Sequence, residues 1–396
     1  MFDDVPLLPP DPILGLLSRF RADPRTDKID LGVGVYQDEE GRTPVMRAVQ
    51  EAESRLLLTQ TTKTYQGIAG DPEFNERMLA MLLGPQHPAL RDGRVRGVQT
   101  PGGCGALRIG AEVIRRARPA ARVWVSSPTW ANHMPLIGGS GLELVEYPYY
   151  DPVTRGVDFD AMMSALANVP AGDVVLLHGC CHNPCGADLN HAMWQAVAEA
   201  ALKQGFTPFI DLAYQGLGDG LDEDVYGLRL LASKLPEVIV ASSYSKNFGL
   251  YRERTGAVMV LAETAAAAEA SASQVIGTAR EMYSVPPAHG AALVGMILDD
   301  AALRSEWDAE LTEMRDRING LRVQLVAKLT AKGVNRDFSF IQHEKGMFSF
   351  LGLTPEQVKK LIGDYSIYLV GSSRINVAGI NKANLDYLVN AIAAVL

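Results

Sequence analysis

The chain has 396 residues, of which 47% are hydrophobic and 21% are charged. This balance is typical of a globular enzyme, and the length predicts two domains, because one hydrophobic core rarely grows that large. The formal net charge of −9 predicts a mildly acidic surface. Because the sequence also lacks a basic tract that could neutralise phosphates, we expect no nucleic-acid partner.

The sequence shows no targeting signal. The chain begins Met1, Phe2, Asp3, Asp4, whereas a secretory signal needs a basic start and an apolar run. No apolar stretch approaches the length of a membrane span. The cysteines lack the long-range spacing of a disulfide framework; they are Cys104, Cys180, Cys181 and Cys185. We therefore expect a cytoplasmic protein that does not contact a membrane.

The chain as far as residue 272 predicts an arm followed by several helices. Residues 1–12 are rich in proline and predict an extended N-terminal arm that lies on a partner subunit. A helix is predicted from Pro44 to about Leu58, where apolar residues recur at helical spacing. A second helix is predicted to begin with a cap residue and proline at Asp71-Pro72 and to end near Gly84. A third helix is predicted from about Asn190 to Gly205. The Ala-rich stretch 262–272 predicts a further helix.

Short β-rich runs lie between these helices: Arg122–Val125, Asp173–His178, Phe206–Ile210 and Glu237–Ala241. Such runs, separated by helices, are typical of a mostly parallel sheet covered by helices on both faces. We therefore predict an α/β fold whose large domain spans residues 44–305.

The pattern changes from about Glu306. Long helical segments lead to short strands near Gly346–Leu351 and Ile367–Val370, and then to a C-terminal helix from about Lys382. We predict a smaller α+β domain from residues 306–396, to which residues 13–43 also contribute.

Polar or aromatic residues follow each of the four predicted strands, and they are Ser127–Trp130, Gly179–Pro184, Asp211 with Tyr214, and Ser242–Lys246. In parallel sheets, ligands bind beyond the carboxyl ends of the strands. The sequence therefore predicts a functional site at this rim.

Lys246 is the central candidate. A lysine is ordinarily a solvated surface residue, but this one follows a buried strand within a run of serines, with Arg254 eight positions later. Serine hydroxyls and a guanidinium form a phosphate site, and the glycine-rich stretch Thr100–Leu107 before a helix would add backbone N–H groups. A lysine beside a phosphate site indicates a Schiff base with pyridoxal phosphate.

Other rim residues would surround the ring of that cofactor. Asp211 would keep the ring nitrogen protonated, although an aspartate at a strand end is commonly a turn residue. Tyr214 and Asn183 could hydrogen-bond the phenolic oxygen, and Trp130 could stack on the ring or belong to the core. His133 or His178 could support Asp211 or be purely structural.

Two further interpretations depend on single features. Arg374 could bind a substrate carboxylate with two hydrogen bonds, or it could form an inter-domain salt bridge. The stretch from His178 to Cys185 is dense in zinc-ligand residue types, but a second ligand pair is missing, and adjacent cysteines in an extended backbone would point apart. We therefore predict no metal.

Eight stretches together resemble the class I aminotransferases, specifically the aspartate and aromatic amino-acid branch of fold type I. They cover essentially the whole chain: Leu31–Tyr36, Thr62–Gly67, Pro128–His133, His178–Gly186, Asp211–Gly216, Ser243–Gly256, Tyr283–Pro287 and Gly346–Phe348. The resemblance implies a pyridoxal-phosphate enzyme that works as a homodimer with shared active sites.

The resemblance also implies a role for each matching residue. Lys246 would bind the cofactor covalently and move the proton, with Asp211 and Tyr214 as the other catalytic residues, and Asn183 and Trp130 beside the ring. The phosphate would be bound by Ser243, Ser245, Arg254, Gly103 and Cys104, and by Tyr65 of the other subunit. Arg374, near Gly34, would bind the substrate α-carboxylate, and Arg280 would enter from the partner to meet a side-chain carboxylate.

Cys104 and Cys185 depart from the family pattern, which usually has threonine at both positions. The first departure removes a hydroxyl from the phosphate site. Two alternatives also stay open: a lyase of the same fold that acts at Cβ, and a catalytically silent ligand-binding protein. The sequence does not rank individual amino-acid substrates.

Overall fold

The computed structural model describes residues 1–8 and 12–396. They form two compact units: the smaller comprises Met1–Thr43, Pro184–Gly186 and Arg317–Leu396, and the larger comprises Pro44–Asn183 and Ala187–Asp316. The predicted arm, residues 1–12, includes three residues outside the described part of the chain and stays a prediction. Within the described residues, no helix combines the length and apolar character needed to cross a membrane.

The α-helices in the described part of the chain are α1 (Pro12–Ala22), α2 (Arg47–Thr59), α3 (Pro72–Leu83), α4 (Pro88–Arg91), α5 (Gly102–Ala117), α6 (His133–Gly138), α7 (Phe159–Leu166), α8 (His191–Gln204), α9 (Tyr226–Lys234), α10 (Ala265–Met282), α11 (Ala288–Asp299), α12 (Ala301–Ala331), α13 (Pro355–Tyr365) and α14 (Leu385–Val395). Short 3₁₀ turns occur at Phe2–Asp4, Glu223–Val225, Ser339–Gln342 and Val377–Gly379.

The strands are β1 (Ile29–Asp30), β2 (Val95–Pro101), β3 (Arg122–Ser127), β4 (Glu143–Pro148), β5 (Tyr150–Asp151), β6 (Gly156–Val157), β7 (Val174–His178), β8 (Thr207–Leu212), β9 (Val238–Ser243), β10 (Thr255–Leu261), β11 (Phe348–Phe350), β12 (Ile367–Tyr368) and β13 (Arg374–Asn376). The four strands predicted from the sequence are β3, β7, β8 and β9, so these predictions are confirmed.

Local capping residues explain why the predicted helices begin and end where they do. The Asp71 carboxylate accepts a hydrogen bond from the backbone N–H of Phe74, and α3 ends at Gly84, which has a φ of 86°. Asn190 caps α8 in the same way, and Gly205 ends it in the left-handed conformation. Such caps satisfy the N–H groups that a helix start leaves free, and both helix predictions are confirmed.

The larger unit is built on a seven-stranded sheet with the strand order β2-β10-β9-β8-β7-β3-β4. β10 runs antiparallel to both of its neighbours, and the remaining pairs are parallel. The predicted α/β class with a mostly parallel sheet is therefore confirmed. β10, all of whose residues are buried, was not predicted from the sequence, and its antiparallel direction could not be, because a short apolar run does not reveal strand direction.

Helix α5 packs closely on the centre of this sheet. Gly110 makes the approach possible, since a Cβ atom at that position would lie 2.6 Å from the Phe209 ring. Apolar residues of α5, including Leu107 and Ile109, are buried against the sheet in the same core cluster. The first residue of α5, Gly102, directly follows Pro101, the last residue of β2.

The smaller unit is held by short strand pairs and by one buried arginine. β1 pairs in parallel with β12, and β11 pairs antiparallel with β13. Arg322 is 1% exposed. Its guanidinium donates to the carbonyl oxygens of Ile341, Gly346 and Phe348, and its Nη1 atom lies 3.5 Å from a carboxylate oxygen of Glu344.

The boundary between the units lies between Asp316 and Arg317, inside α12, rather than at residue 306 as the sequence analysis places it. The first part of α12 contributes Trp307, whose indole N–H donates to the Asn247 carbonyl in the larger unit. Its later part contributes Arg322 to the smaller unit. The sequence changes character near residue 306 because α12 begins nearby, and a helix start does not mark a boundary between units.

We expect Arg322→Met to destabilise the smaller unit by about 3–5 kcal/mol, because it leaves the buried Glu344 carboxylate without its cation. Hydrogen-exchange mass spectrometry in increasing urea would measure this loss for each unit separately, which matters because two units need not unfold together. The control is Val323→Ala at the next position, where the side chain is 51% exposed. Equal losses in the two variants would contradict the role of the ion pair.

Candidate functional site

The carboxyl ends of β3, β7, β8 and β9 form the rim that the sequence predicts. These four strands are neighbours in the sheet and run parallel. Asp211 lies on β8, where it pairs with His178 of β7 on one side and with Ala241 of β9 on the other. Lys246 follows the end of β9. The side chains predicted to act together therefore leave the sheet at one edge.

Lys246 lies among groups of both charges. Its Nζ atom is 5.2 Å from the centre of the Tyr214 ring. Burial lowers the pKa of Lys246 most strongly, the charge of Asp211 opposes this effect, and the nearby Arg254 cation adds to it. The net pKa lies below that of an ordinary lysine, so a larger fraction of the amine is neutral and able to accept a proton.

Asp211 is 8% exposed and nevertheless keeps a low pKa. Burial alone would raise the pKa of this carboxyl, but the hydrogen bond from His133 and the nearby positive charges outweigh burial and lower it. The His133 Nε2 atom is 2.9 Å from the Asp211 Oδ2 atom. The rim therefore presents a charged carboxylate at neutral pH.

A chain of hydrogen bonds continues behind Asp211. The Thr129 hydroxyl lies 2.8 Å from Nδ1 of His133 and 3.1 Å from Nε2 of His178. A hydroxyl has one hydrogen and two lone pairs, so at most one of these rings accepts from it and at least one donates to it. Burial lowers the pKa of His178 to about 3, and His178 is consequently neutral at physiological pH. Support of Asp211 by His133 or His178 is predicted from the sequence, whereas Thr129, which links them, is seen only in the structure.

The start of α5 forms a candidate anion site with Arg254 and Ser243. Gly102 has a φ of 69°, and a Cβ atom there would lie 2.4 Å from an Arg254 guanidinium nitrogen. A Cβ atom at Gly103 would lie 3.0 Å from the Ser243 Cβ atom. Ser243 and Ser245 are themselves linked by a hydrogen bond of 3.2 Å. The positive φ of Gly102 favours glycine, and a side chain at Gly103 would crowd Ser243. The N–H groups at the helix start therefore lie close to a cation and two hydroxyls.

Cys104 occupies the third position of α5 at this anion site. Its side chain is partly buried, and its Sγ atom lies 3.9 Å from the Asn132 side-chain nitrogen. Trp130 lies in the same segment as Asn132 and contacts the His133 ring edge-on, with 5.3 Å between ring centres. The segment after β3 therefore connects the anion site to the environment of Asp211.

Asn183 is held at the rim by a constrained turn. Asp188 accepts hydrogen bonds from the backbone N–H groups of Cys181 and His182, at 2.6 and 2.8 Å. Cys181 has a φ of 52°, so the backbone turns sharply just before Asn183. Asn183 is 7% exposed, as expected for a residue that is positioned by its surroundings.

The same turn bears on the metal-site alternative. Contrary to the expectation that adjacent cysteines point apart, the thiols of Cys180 and Cys181 and the carboxylate of Asp224 lie within 4.8 Å of one another, because the backbone at Cys181 is left-handed. The hydrogen bond with Cys181 and burial raise the pKa of Cys180 well above its usual value. The Asp224 oxygens accept backbone N–H groups of Gly216 and Gly218. A protonated thiol and an engaged carboxylate do not favour a metal ion.

The smaller unit contains a second group of predicted residues. The Arg374 guanidinium lies 4.3 Å from the centre of the Phe348 ring and donates to the Gly32 carbonyl oxygen at 2.7 Å. A Cβ atom at Gly34 would lie 2.8 Å from the same ring. Gly34 and Arg374 therefore meet through Phe348, whose role the sequence analysis did not assign.

The two remaining predicted residues lie on the surface of the larger unit. Tyr65 is 88% exposed. Arg280, in the last turn of α10, is also exposed, and its guanidinium donates to the Ser284 hydroxyl at 2.7 Å. Their exposure is compatible with the expectation that they act on a partner subunit.

Comparison with known proteins places this geometry in context. The family described as aminotransferase class I and II matches residues 26–392. An aspartate aminotransferase of Salmonella typhi is 50% identical, with all of both chains covered. An aromatic-amino-acid aminotransferase of Paracoccus denitrificans is 49% identical over 98% of this chain and 97% of its own. The crystal structure of an aromatic-amino-acid aminotransferase from Burkholderia pseudomallei, covalently bound to pyridoxal phosphate, superposes with a TM-score of 0.98 at 45% identity, covering 100% of this chain and 99% of the other.

The opposing charges around Lys246 predict opposite effects of two substitutions. Asp211→Asn removes the anion that raises the pKa of Lys246, so the pKa should fall further. Arg254→Met removes a cation that lowers this pKa, so the pKa should rise. In the cofactor-free protein, labelling of Lys246 by an amine-reactive reagent, followed by mass spectrometry across pH, would move to lower pH in the first variant and to higher pH in the second.

Labelling of the exposed Lys203 in the same samples is the internal reference for these measurements, because neither substitution should alter it. Identical Lys246 profiles in the wild-type protein and both variants would show that Lys246 is not electrostatically coupled to Asp211 and Arg254.

Proposed function

The chain belongs to the class I and II aminotransferase family, and on this premise we propose that it moves the amino group of a dicarboxylic or aromatic L-amino acid to a 2-oxo acid such as 2-oxoglutarate. The enzyme is an aminotransferase that depends on pyridoxal phosphate. Relatives named for aspartate and for aromatic amino acids are 50% and 49% identical to the chain. Identity therefore does not choose between the two substrate classes, and both are proposed.

The observation that carries the proposal is the position of Lys246 between a charged carboxylate and an anion site. Pyridoxal phosphate has an aldehyde, a basic ring nitrogen and a phosphate. Lys246 supplies an amine for the aldehyde, and Asp211 supplies a carboxylate that stays charged for the ring nitrogen. Arg254 and the serines lie at the start of α5, where they would meet the phosphate. The donors and charges of the larger unit fit the three reactive ends of this cofactor.

When bound, pyridoxal phosphate supplies an electron-withdrawing ring that stabilises negative charge at the substrate α-carbon. We assign the removal of the proton from this carbon to Lys246, because its lowered pKa keeps the amine available as a base. Asp211 would hold a proton on the ring nitrogen, and His133 keeps Asp211 charged. Tyr214 and Asn183 would contact the phenolic oxygen of the ring.

The remaining cofactor contacts are assigned by position. Trp130 would cover one face of the ring. The phosphate would be held in the larger unit by backbone and side-chain donors of Gly103, Cys104, Ser243, Ser245 and Arg254. A thiol is a weaker donor than a hydroxyl, so Cys104 would contribute less than the threonine usual in the family.

The substrate would be bound by arginines. We assign the substrate α-carboxylate to Arg374, which lies beside Gly34 and Phe348 in the smaller unit. Arg280 would pair with a side-chain carboxylate in the partner's site. Because its side chain is long and exposed, it can also swing away and leave space for an aromatic ring.

A homodimer is part of the proposal, since Tyr65 and Arg280 would act in the partner's site. Tyr65 lines a surface groove of about 710 Å³ between α2 and α11. The neighbouring Leu57 and Leu58 are 81% and 86% exposed, and exposed apolar side chains of this size favour cover by another protein surface. We also propose a cytoplasmic location, which is supported by the four cysteines being present as thiols and not in disulfides.

Lys246→Ala should lower the kcat of amino transfer by orders of magnitude, because the change removes both the covalent attachment point and the proton carrier. The assay follows 2-oxo acid formation from aspartate or phenylalanine with 2-oxoglutarate, and circular dichroism checks the fold. Lys203→Ala, an exposed lysine on the same unit, is the control. Ammonia release without any need for a second oxo acid would instead identify the wild-type enzyme as a lyase.

Arg280→Ala should lower kcat/KM for aspartate and 2-oxoglutarate roughly ten- to hundredfold, because a charge-assisted hydrogen bond is worth about 1.5–3 kcal/mol. The half-reaction with phenylalanine should change much less. Each half-reaction must be followed separately by cofactor absorbance, since the full cycle fails if the acceptor cannot bind. Arg304→Ala, at an exposed position of α12, is the control, and equal losses for aspartate and phenylalanine would refute the assignment.

A further inference from the structure

Gln99 is a fully buried polar residue of β2 that the assignments above do not use. Its side chain is 0% exposed, and it lies just before the glycine loop that begins α5. The side-chain oxygen accepts a hydrogen bond from the backbone N–H of Asp71 at 2.9 Å. The side-chain nitrogen donates to the Pro287 carbonyl oxygen at 2.6 Å. One amide therefore joins two segments that are far apart in sequence.

The orientation of this amide is determined by its partners. A backbone N–H can only donate and a backbone carbonyl can only accept, so exchanging the oxygen and nitrogen of Gln99 would break both bonds. The main chain of Gln99 adds two contacts. Its N–H donates to the Ala69 carbonyl at 3.0 Å, and its carbonyl accepts a longer hydrogen bond of 3.5 Å from the Tyr283 hydroxyl.

The first of the two joined segments carries Tyr65. A turn closed by the hydrogen bond from Gly70 N–H to the Gly67 carbonyl begins two residues after Tyr65. Gly70 has a φ of 84°, and a Cβ atom there would lie 2.3 Å from the Gln99 Cβ atom. The turn therefore packs directly on the Gln99 side chain. The N–H of the next residue, Asp71, donates to that side chain.

The second joined segment carries Arg280. Arg280 donates to Ser284, which has a φ of 70°. The segment then reaches Pro287, the residue before α11, where the Gln99 amide binds. Tyr283, between Arg280 and Pro287, also reaches the Gln99 main chain. The segments that carry the two exposed residues assigned to the partner's site are thus joined at one buried amide.

We propose that Gln99 is a positioning residue that aligns the two segments by which one subunit completes the active site of the other. The inference rests on the proposed function, because it takes Tyr65 and Arg280 as contributions to a partner. Gln99 contacts neither the substrate nor the cofactor in this role. It acts through the backbone at Asp71 and Pro287, so its effect should appear in the partner's site and not in its own.

The test uses Gln99→Met, which keeps the volume and removes both side-chain hydrogen bonds. In the homodimer, KM for aspartate and for 2-oxoglutarate should rise about tenfold, as expected for the loss of buried hydrogen bonds that position a charged group. The dissociation constant of pyridoxal phosphate should rise as well, through Tyr65, whereas the phenylalanine half-reaction should change less than about threefold. Tyr147→Phe, which removes one buried hydrogen bond to the Leu176 carbonyl in the same unit, should leave these values unchanged.

Mixed dimers separate action on the partner from action within the subunit. In the first, Gln99→Met and Lys246→Ala are on the same subunit beside a wild-type subunit, so the only intact Lys246 is in a site completed by the altered Tyr65 and Arg280 segments. In the second, the two substitutions are on different subunits, so the intact Lys246 is in a site completed by a subunit with native Gln99. Two affinity tags allow each dimer to be purified.

We expect the raised KM for aspartate in the first mixed dimer and a wild-type KM in the second. The reverse pattern would overturn the inference, because Gln99 would then act on the glycine loop of its own subunit. Equal KM values in the two dimers would also overturn it, since Gln99 would then be a general packing residue.

A reference dimer of one wild-type and one Lys246→Ala subunit distinguishes these results from failure of the proposed function. If this reference were inactive, or if the wild-type protein were monomeric, the shared-site function and the inference would fail together. An active reference with one of the two adverse patterns overturns the inference alone.

Discussion

The hydrogen bond from His133 to Asp211 is the interaction on which the candidate site depends. A carboxyl group that is 8% exposed would ordinarily favour its neutral form. The bond of 2.9 Å helps to reverse that preference, and the resulting charge in turn opposes the loss of the proton from Lys246. One hydrogen bond therefore affects both the charge of Asp211 and the pKa of Lys246.

The bond from His133 is itself supported from the next layer of the fold. Thr129 links His133 to His178, and the His178 ring lies 3.9 Å from the His182 ring, which stacks on Tyr149. Burial lowers the pKa values of His178 and His182, so these rings add polar contacts without adding charge. A neutral supporting layer keeps the charge of Asp211 available to a ligand, whereas a charged imidazolium at His178 or His182 would partly neutralise it.

Features encoded by neighbouring residues could be predicted from the sequence, and features set by distant contacts could not. The bounds of α3 and α8 follow from caps at Asp71, Gly84, Asn190 and Gly205, and the strands that build the rim follow from short apolar runs. The antiparallel direction of β10 was not predictable, because direction depends on which strands become neighbours. The left-handed backbone at Cys181, which brings two thiols together, likewise depends on a carboxylate seven positions later.

Gln99 illustrates the same limit for function. Nothing near it in the sequence distinguishes it from an ordinary strand residue, and its partners at Asp71 and Pro287 are recognisable only in the folded larger unit. A buried amide whose donor and acceptor are both used costs little, whereas one left unpaired is expensive. Because of this asymmetry, Gln99 restrains both segments: a shift of the Tyr65 or Arg280 segment would break a hydrogen bond and leave a buried polar group unsatisfied. Exposed residues that must reach another subunit can therefore be held accurately by a contact that lies entirely inside their own.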